Sequence, residues 1–164
     1  MSVEVSITDG PLPAASQSNT PVAGKDDSVT QTSEAPSKQR PKRQRGLPSP
    51  STRETSSTIQ TGAVLVFEGI VRSEEDGQRI NALIYTAYEP MATMELTKLA
   101  QDVCTRHSLA RITVEHSRGR VRVGEVSFRL TIRSPHRKQA LAAMDEFIDR
   151  MKRDVPIWKK VAGE

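Results

Sequence analysis

Apolar and polar residues alternate along several stretches beyond residue 60, and this period of two predicts β-strands. The clearest stretch is VSFRLTIR (126–133), in which every second residue is large and apolar. Three further strands are predicted for TGAVLVFEGIVR (61–72), INALIYTAY (80–88) and ARITVEH (110–116). Turn chemistry at Asp76-Gly77 separates the first two of these.

Two other stretches have apolar residues at helical spacing. Pro90 opens the first helix, which extends to about His107, because an early helical position needs no amide donor. The second helix begins at Arg137, and its apolar residues recur at i, i+3, i+7 and i+10: Leu141, Met144, Ile148 and Met151. It should end near Asp154, because the residue before Pro156 is biased away from helix. The order β-β-α-β-β-α predicts an α+β fold, with both helices on one face of a mostly antiparallel sheet.

The first 57 residues differ in composition from the rest of the chain. All six aromatic residues lie beyond residue 60, and seven of the ten prolines lie before residue 51. A segment with no aromatic and few large aliphatic residues cannot bury enough apolar surface to offset its chain entropy. We therefore predict a disordered tail over residues 1–57 and a single folded domain over residues 58–164.

Charge and cysteine content narrow the possible classes of protein. The net charge of +4 is compatible with anionic ligands without requiring nucleic acid. The lone Cys104 excludes an intrachain disulfide framework and is expected to be a small buried residue. No histidine pair has the close spacing of a metal motif, so no metal site is predicted. The chain shows neither a membrane-length apolar run nor a signal pattern in MSVEVSITDG, which predicts a soluble, cytoplasmic protein.

The stretch KQRPKRQR (38–45) contains five basic residues in eight. It is either a solvated charge run or, together with RGRVR (118–122), part of a nucleic-acid-binding module. No aromatic residue is interleaved to stack on a base, which favours the solvated run. The nucleic-acid alternative predicts binding that weakens steeply with salt and depends on the tail.

Charged residues recur where the predicted elements end: Arg72, His116, Arg118, Arg120, His136, Arg137, Lys152 and Lys159. They either converge on one anion-binding cleft or are ordinary surface charges. The most informative segment is RMKRDVPIWKK (150–160), in which Lys152 and Lys159 flank a rigid apolar turn. From the residues alone, a solvated helix end followed by an ordinary tail explains this segment as well as a catalytic pair does.

Five ordered blocks decide between these interpretations: TGAVLVFEGIVR, YTAYEPMA, HSRGRVRVGE, SPHRKQAL and MKRDVPIWKK. Over residues 60–160 the chain resembles the large, catalytic subunit of molybdopterin synthase. The resemblance implies an α/β hammerhead fold and a homodimer at the centre of a heterotetramer. It implies a sulfurtransferase of molybdenum cofactor biosynthesis, whose partner is a small ubiquitin-like subunit with a Gly-Gly thiocarboxylate at its C-terminus. Two sulfurs pass from that tail to cyclic pyranopterin monophosphate, forming the dithiolene of molybdopterin.

The resemblance also assigns site residues by position: Phe67, Arg72, His136, Arg137, Lys152 and Lys159. The family pattern implies that Arg72, His136 and Arg137 hold anionic groups of the substrate, some of them from the neighbouring protomer. We expect Lys152 to handle a proton or an acyl group, since a desolvated lysine gives up its proton more readily. Lys159 is expected to orient the substrate and the partner tail. No cofactor is expected, because the sulfur arrives on the partner.

Three positions depart from the family pattern. Thr86 replaces a carboxylate, Ser117 replaces an arginine for which Arg118 could compensate, and Val161 replaces a glutamate. Arg118 is therefore a further candidate for substrate binding. These departures support an alternative in which the chain is a non-catalytic paralogue that binds the small subunit as a scaffold.

Overall fold

A computed structural model describes residues 1–14 and 61–163 of the chain. The strands described are β1 (Ser2–Asp9), β2 (Ala63–Ile70), β3 (Glu74–Glu75), β4 (Gln78–Arg79), β5 (Ala82–Ala87), β6 (Arg111–Arg122), β7 (Val126–Ser134) and β8 (Ile157–Val161). The helices are α1 (Met91–Arg106) and α2 (Arg137–Asp154). The predicted α+β class, with two main helices and a mostly antiparallel sheet, is confirmed.

The main sheet has the strand order β2-β7-β6-β5-β8. The long strand β6 organises it, because three strands pair with β6. Strand β7 pairs antiparallel with residues 111–116, and β5 pairs antiparallel with residues 119–122. Strand β1 pairs parallel with residues 111–118, so β1 and β5 follow one another along the same edge of β6. Strands β3 and β4, each two residues long, form a separate hairpin that lies between β2 and β5 in the sequence.

Both helices pack against the same face of this sheet, as the sequence predicted. One apolar cluster joins α1, α2 and the inward residues of β6 and β7; its largest fully buried members are Phe147, Leu96, Leu109, Ile112, Leu130 and Ile132. Burying one such side chain contributes about 2 kcal/mol to stability. Helix α2 ends at the predicted residue, because Val155 before Pro156 is extended, with φ −92° and ψ 129°.

The N-terminal segment differs from the prediction of a tail disordered from its first residue. Ser2–Asp9 forms β1, and Val3, Val5 and Ile7 on one side of this strand pack against the main core. These apolar residues alternate with polar ones, which is typical of a strand. The prediction of disorder followed the composition of the whole 57-residue segment and not this short alternation. Residues 15–57 of the predicted tail, including the basic run at 38–45, lie outside the described residues.

The C-terminal segment also differs from its prediction. The stretch after Pro156 was expected to be a rigid turn, but Ile157–Val161 forms β8 and pairs antiparallel with β5. The third predicted strand, 110–116, is longer than expected and continues as β6 to Arg122. It passes through Gly119, whose φ of 86° only glycine adopts readily. Both differences arise from pairing partners that lie far away in the sequence.

Candidate functional site

Five neighbouring strands each present one side chain to the same end of the helix-covered face. In sheet order these side chains are Phe67 on β2, Phe128 on β7, His116 on β6, Tyr85 on β5 and Lys159 on β8. The aromatic members are in contact. Ring centroids are 6.1 Å apart for Phe67 and Phe128, 5.6 Å for Phe128 and His116, and 5.5 Å for His116 and Tyr85. We call these four residues the aromatic row.

The aromatic row forms the floor of a cleft of about 680 Å³. The last turns of α2 form one wall through Ile148, Met151 and Lys152. Arg72, just after β2, and Trp158, on β8, also line the cleft. Three cationic side chains from separate elements therefore converge beside an aromatic surface. Flat aromatic ligands stack on such surfaces, and clustered cations bind anions.

His116 is buried in the aromatic row, and this burial favours its neutral form. Its Nδ1 lies 2.8 Å from the carbonyl oxygen of Ser117. Since a carbonyl can only accept, Nδ1 carries the proton and Nε2 is left as an acceptor. Burial lowers the pKa of His116, more than the hydrogen bond to Ser117 raises it.

A short hydrogen-bond chain fixes the neighbouring tyrosine. The hydroxyl of Tyr85 donates to Ser127 Oγ over 3.0 Å, and Ser127 donates in turn to the carbonyl oxygen of Gly69 over 3.0 Å. The chain connects β5, β7 and β2 across the cleft floor. It holds the Tyr85 ring in place beside His116.

The two lysines of the cleft differ in their surroundings. Lys159 Nζ lies 2.5 Å from a carboxylate oxygen of Glu75, on the hairpin that follows Arg72. Lys152 is exposed and has no carboxylate within 4.0 Å among the described residues. The ammonium group of Lys152 is therefore solvated in this single chain, and the expectation that Lys152 is desolvated when it acts stays a prediction.

Sequence reasoning assigned four residues that the structure brings to this cleft: Phe67, Arg72, Lys152 and Lys159. It missed the contributions of Tyr85, Ser127 and Glu75. The alternation of INALIYTAY places Tyr85 on the same face of the strand as Leu83, so the sequence pattern predicts the side to which Tyr85 points. No sequence signal places Glu75 beside Lys159, because the hairpin and β8 are 84 residues apart.

Three predicted site residues lie elsewhere in the chain. His136 and Arg137 stand at the N-terminus of α2, where they line a separate depression of about 580 Å³ with Gly62 and Pro135. Helix N-termini bind anions through unpaired amides, so His136 and Arg137 lie at a position that suits an anionic group, although it is not in the cleft.

Arg118 does not reach the cleft. Its guanidinium binds the carboxylate of Asp9 at the end of β1, with Nε 2.7 Å and Nη2 2.9 Å from the two oxygens. The neighbouring Ser117 is fully buried and donates to the carbonyl oxygen of Val126. Neither residue supplies an anion contact in the cleft.

Several other features bear on possible chemistry. Cys104 is buried, as predicted, and burial raises the pKa of its thiol, which suits packing better than nucleophilic attack. Within residues 1–14 and 61–163, no three His, Cys, Asp or Glu side chains are grouped so as to hold a metal ion. In the same part of the chain, neither helix has the length and apolar character needed to cross a membrane.

The fold and the cleft together define a class of protein. The profile of the MoaE protein family matches residues 47–154, which is more than half of the chain. The chain therefore belongs to the MoaE protein family.

Within this class the chain is similar to proteins named molybdopterin synthase catalytic subunit. It is 41% identical over 100 residues to the protein of Nostoc sp., a match that covers 60% of this chain and 61% of the relative. It is 38% identical over 99 residues to the protein of Thermoplasma volcanium, covering 60% of this chain and 72% of the relative. The chain thus spans less than two thirds of the Nostoc relative.

Solved structures agree with these sequence matches. The molybdopterin synthase structure from Staphylococcus aureus superposes with a TM-score of 0.61 at 34% identity, covering 65% of this chain and 77% of the other. A complex of subunits 1 and 2 of molybdopterin-converting factor from Helicobacter pylori gives a TM-score of 0.54 at 32% identity, covering 62% and 66%. The α/β hammerhead prediction is supported by this likeness.

Proposed function

We propose that this chain is the catalytic subunit of a molybdopterin synthase, a sulfurtransferase of molybdenum cofactor biosynthesis. It transfers sulfur from the thiocarboxylated C-terminus of a small ubiquitin-like subunit to cyclic pyranopterin monophosphate. The names of the relatives support the activity, and the two-subunit complex from Helicobacter pylori supports a small partner. The chain needs no resident cofactor in this proposal, because the sulfur is carried by the partner.

One observation carries the proposal: Arg72, Lys152 and Lys159 line the same cleft as the aromatic row. The pterin of the substrate contains one flat heteroaromatic ring, the substrate carries an anionic phosphate, and the sulfur donor is an anionic chain terminus. Aromatic side chains suit the ring, and a cluster of cations suits both anions. Such cations also stabilise negative charge that develops during transfer.

The two lysines have different tasks in this proposal. The tail sulfur first forms a bond to a carbon of the substrate, where a carbon–oxygen bond breaks and the oxygen leaves with a proton, so that the tail and the substrate are joined as a thioester. The Lys152 amine or water then attacks the acyl carbon, and the acyl carbon–sulfur bond breaks. The sulfur stays on the substrate, and the tail ends as an amide of Lys152 or as a carboxylate. Lys159 holds the anionic end of the tail or substrate. Pro156 ends α2, and β8 then fixes Lys159 at a set distance from Lys152.

We assign His136 and Arg137 to the cleft of a second copy of the chain. They lie outside the cleft of their own chain, at an open helix N-terminus suited to phosphate. The edge strand β2 exposes Val64, Val66 and Ile70, an apolar surface that a second copy would cover. This arrangement makes a homodimer at the centre of a heterotetramer with two small subunits.

The test is molybdopterin formation from cyclic pyranopterin monophosphate by the purified chain and a thiocarboxylated small subunit. The native chain is compared with Lys152→Ala and with Lys98→Ala, a control lysine on the exposed face of α1. Product from the native chain and from Lys98→Ala, largely lost in Lys152→Ala, is the expected result. Equal product from all three would remove Lys152 from the mechanism. Tight binding of the small subunit without product from any would favour a non-catalytic scaffold.

A further inference from the structure

One of the cations in the cleft, the ammonium group of Lys159, is already bound by a carboxylate of the same chain. Glu75 contacts Lys159 Nζ at 2.5 Å, and the glutamate side chain is only 15% exposed while that of Lys159 is 50% exposed. Glu75 is the second residue of β3, in the hairpin that closes through Asp76 and Gly77, both with positive φ. The hairpin follows Arg72 directly, so one short segment carries both a cation of the cleft and a carboxylate bound to another.

The charges around the cleft show what this carboxylate does. Glu68 also lines the cleft, but its carboxylate is bound at 2.8 Å by the buried Arg129, which also binds Glu115 at 3.3 Å, so Glu68 is engaged by an arginine and not by one of the three cations of the cleft. Arg72, Lys152 and Lys159 would then be three uncompensated cations in one concave site. A site of that charge attracts any small oxyanion, including free phosphate, and releases it slowly. Glu75 lowers the net charge of the cleft by one, at the cation with which it is paired.

We propose that Glu75 is an internal counter-ion that determines which anions the cleft accepts. In the free subunit the carboxylate of Glu75 is paired with the ammonium group of Lys159. An incoming oxyanion, either the phosphate of the substrate or the terminal carboxylate of the partner tail, takes its place. A ligand that also stacks on the aromatic row or docks through a whole subunit has the extra binding energy for this exchange, whereas free phosphate does not. This inference rests on the proposed function for the identity of the two ligands.

The chain provides a matched control in the preceding residue. Glu74 lies on the same strand, but successive strand residues point to opposite sides. It is exposed and has no ion pair among the described residues. Glu74→Gln and Glu75→Gln therefore change the net charge of the protein equally, and only Glu75→Gln removes the counter-ion of Lys159. Glutamine keeps the size of the side chain and an oxygen acceptor for the ammonium group.

The experiment is calorimetric titration of the full chain and the two variants with three probes at low salt. The probes are inorganic phosphate, a peptide ending in Gly-Gly with a free carboxylate, and the same peptide with an amidated end. We expect Glu75→Gln to bind phosphate and the carboxylate peptide about three- to tenfold more tightly than the native chain. Glu74→Gln should stay within about twofold, and the gain should shrink as salt is added. Comparing phosphate with the carboxylate peptide separates the two ligand sources. The amidated peptide should not respond to Glu75, which would show that the peptide binds through its terminal carboxylate.

Three outcomes would overturn the inference. Equal affinities in Glu75→Gln and Glu74→Gln would make the ion pair an ordinary surface contact. Weaker phosphate binding in Glu75→Gln would mean that Glu75 only holds Lys159 in place. No detectable binding of phosphate or peptide to any of the three proteins would mean that the cleft does not accept these anions, so that Glu75 has none to select. These titrations do not depend on sulfur transfer. Molybdopterin formation in the same preparations shows separately whether the proposed function stands.

Discussion

Tyr85 and Lys159 face each other across the antiparallel pair of β5 and β8. Directly opposed residues project from the same side of a sheet, so the tyrosine ring and the lysine ammonium enter the cleft together. The pairing also sends the next lysine, Lys160, to the opposite side, where it faces Ile84. Strand register therefore decides which of two adjacent lysines belongs to the site.

This register gives a prediction about the two lysines. Lys159→Ala removes a cation from the cleft and is expected to lower kcat/KM for molybdopterin formation by about tenfold or more. Lys160→Ala removes the same charge from the other face and should change it by less than about twofold. Steady-state assays with thiocarboxylated small subunit measure both variants. Equal losses would show that overall charge, and not register, governs the site.

The hydrogen-bond chain on the cleft floor predicts a loss of stability in Tyr85→Phe. The variant keeps the ring packing but removes the bond from the Tyr85 hydroxyl to Ser127 Oγ. A partly buried hydrogen bond of this kind contributes about 1 kcal/mol to the free energy of unfolding. Urea denaturation of Tyr85→Phe, Ser127→Ala and the double variant measures the coupling. If the two single effects simply add, the bond contributes nothing.

Buried His116 predicts a dependence of stability on pH. Because burial lowers its folded pKa below the ordinary value of 6.5, the unfolded chain takes up a proton first as the pH falls. Stability is then lost from about pH 6.5 downwards until the folded histidine also protonates. His116→Phe removes this proton uptake and should give a flatter profile of urea midpoints between pH 7 and pH 5. A profile parallel to that of the native chain would exclude His116 as the titrating group.

The N-terminal strand predicts that early residues matter for folding. Val5 on β1 packs against the main core, whereas Thr8 on the same strand is exposed. Val5→Ala is expected to lower the free energy of unfolding by about 1 kcal/mol, and Thr8→Ala to change it by less than about 0.5 kcal/mol. Thermal or urea unfolding measures both. Equal stability of the two variants would mean that β1 is not part of the cooperative fold.

Helix α2 and strand β7 could be predicted because their signals are local. Leu141, Met144, Ile148 and Met151 repeat at helical spacing, and Pro156 marks the end of the helix. Strands β1 and β8 could not be predicted in the same way. β8 has only five residues, and the alternation of β1 stands in a segment whose composition predicts disorder. Each strand gains its structure from a partner far away in sequence, β6 for β1 and β5 for β8.

The cleft was predictable to a similar extent. The resemblance supplied Arg72, Lys152 and Lys159, and the structure brings them together. It could not supply Glu75, since a carboxylate in a turn is equally well explained by solvation. The resemblance also left open whether His136 belongs to the cleft of its own chain or to that of a second copy. The answer depends on how two copies assemble, which the sequence of one chain does not give.

The shared edge of β6 limits the length of the first strand. β1 follows this edge up to Arg118, and β5 takes over at Gly119, opposite Tyr85. The chain leaves the edge at Gly10, whose amide donates to the Arg118 carbonyl oxygen over 2.8 Å. One residue inserted within β1 would either turn its apolar side chains outward or drive the strand end into the place of β5. Residues added ahead of the exposed Met1 leave this register unchanged, because they precede β1 at the end opposite to Gly10.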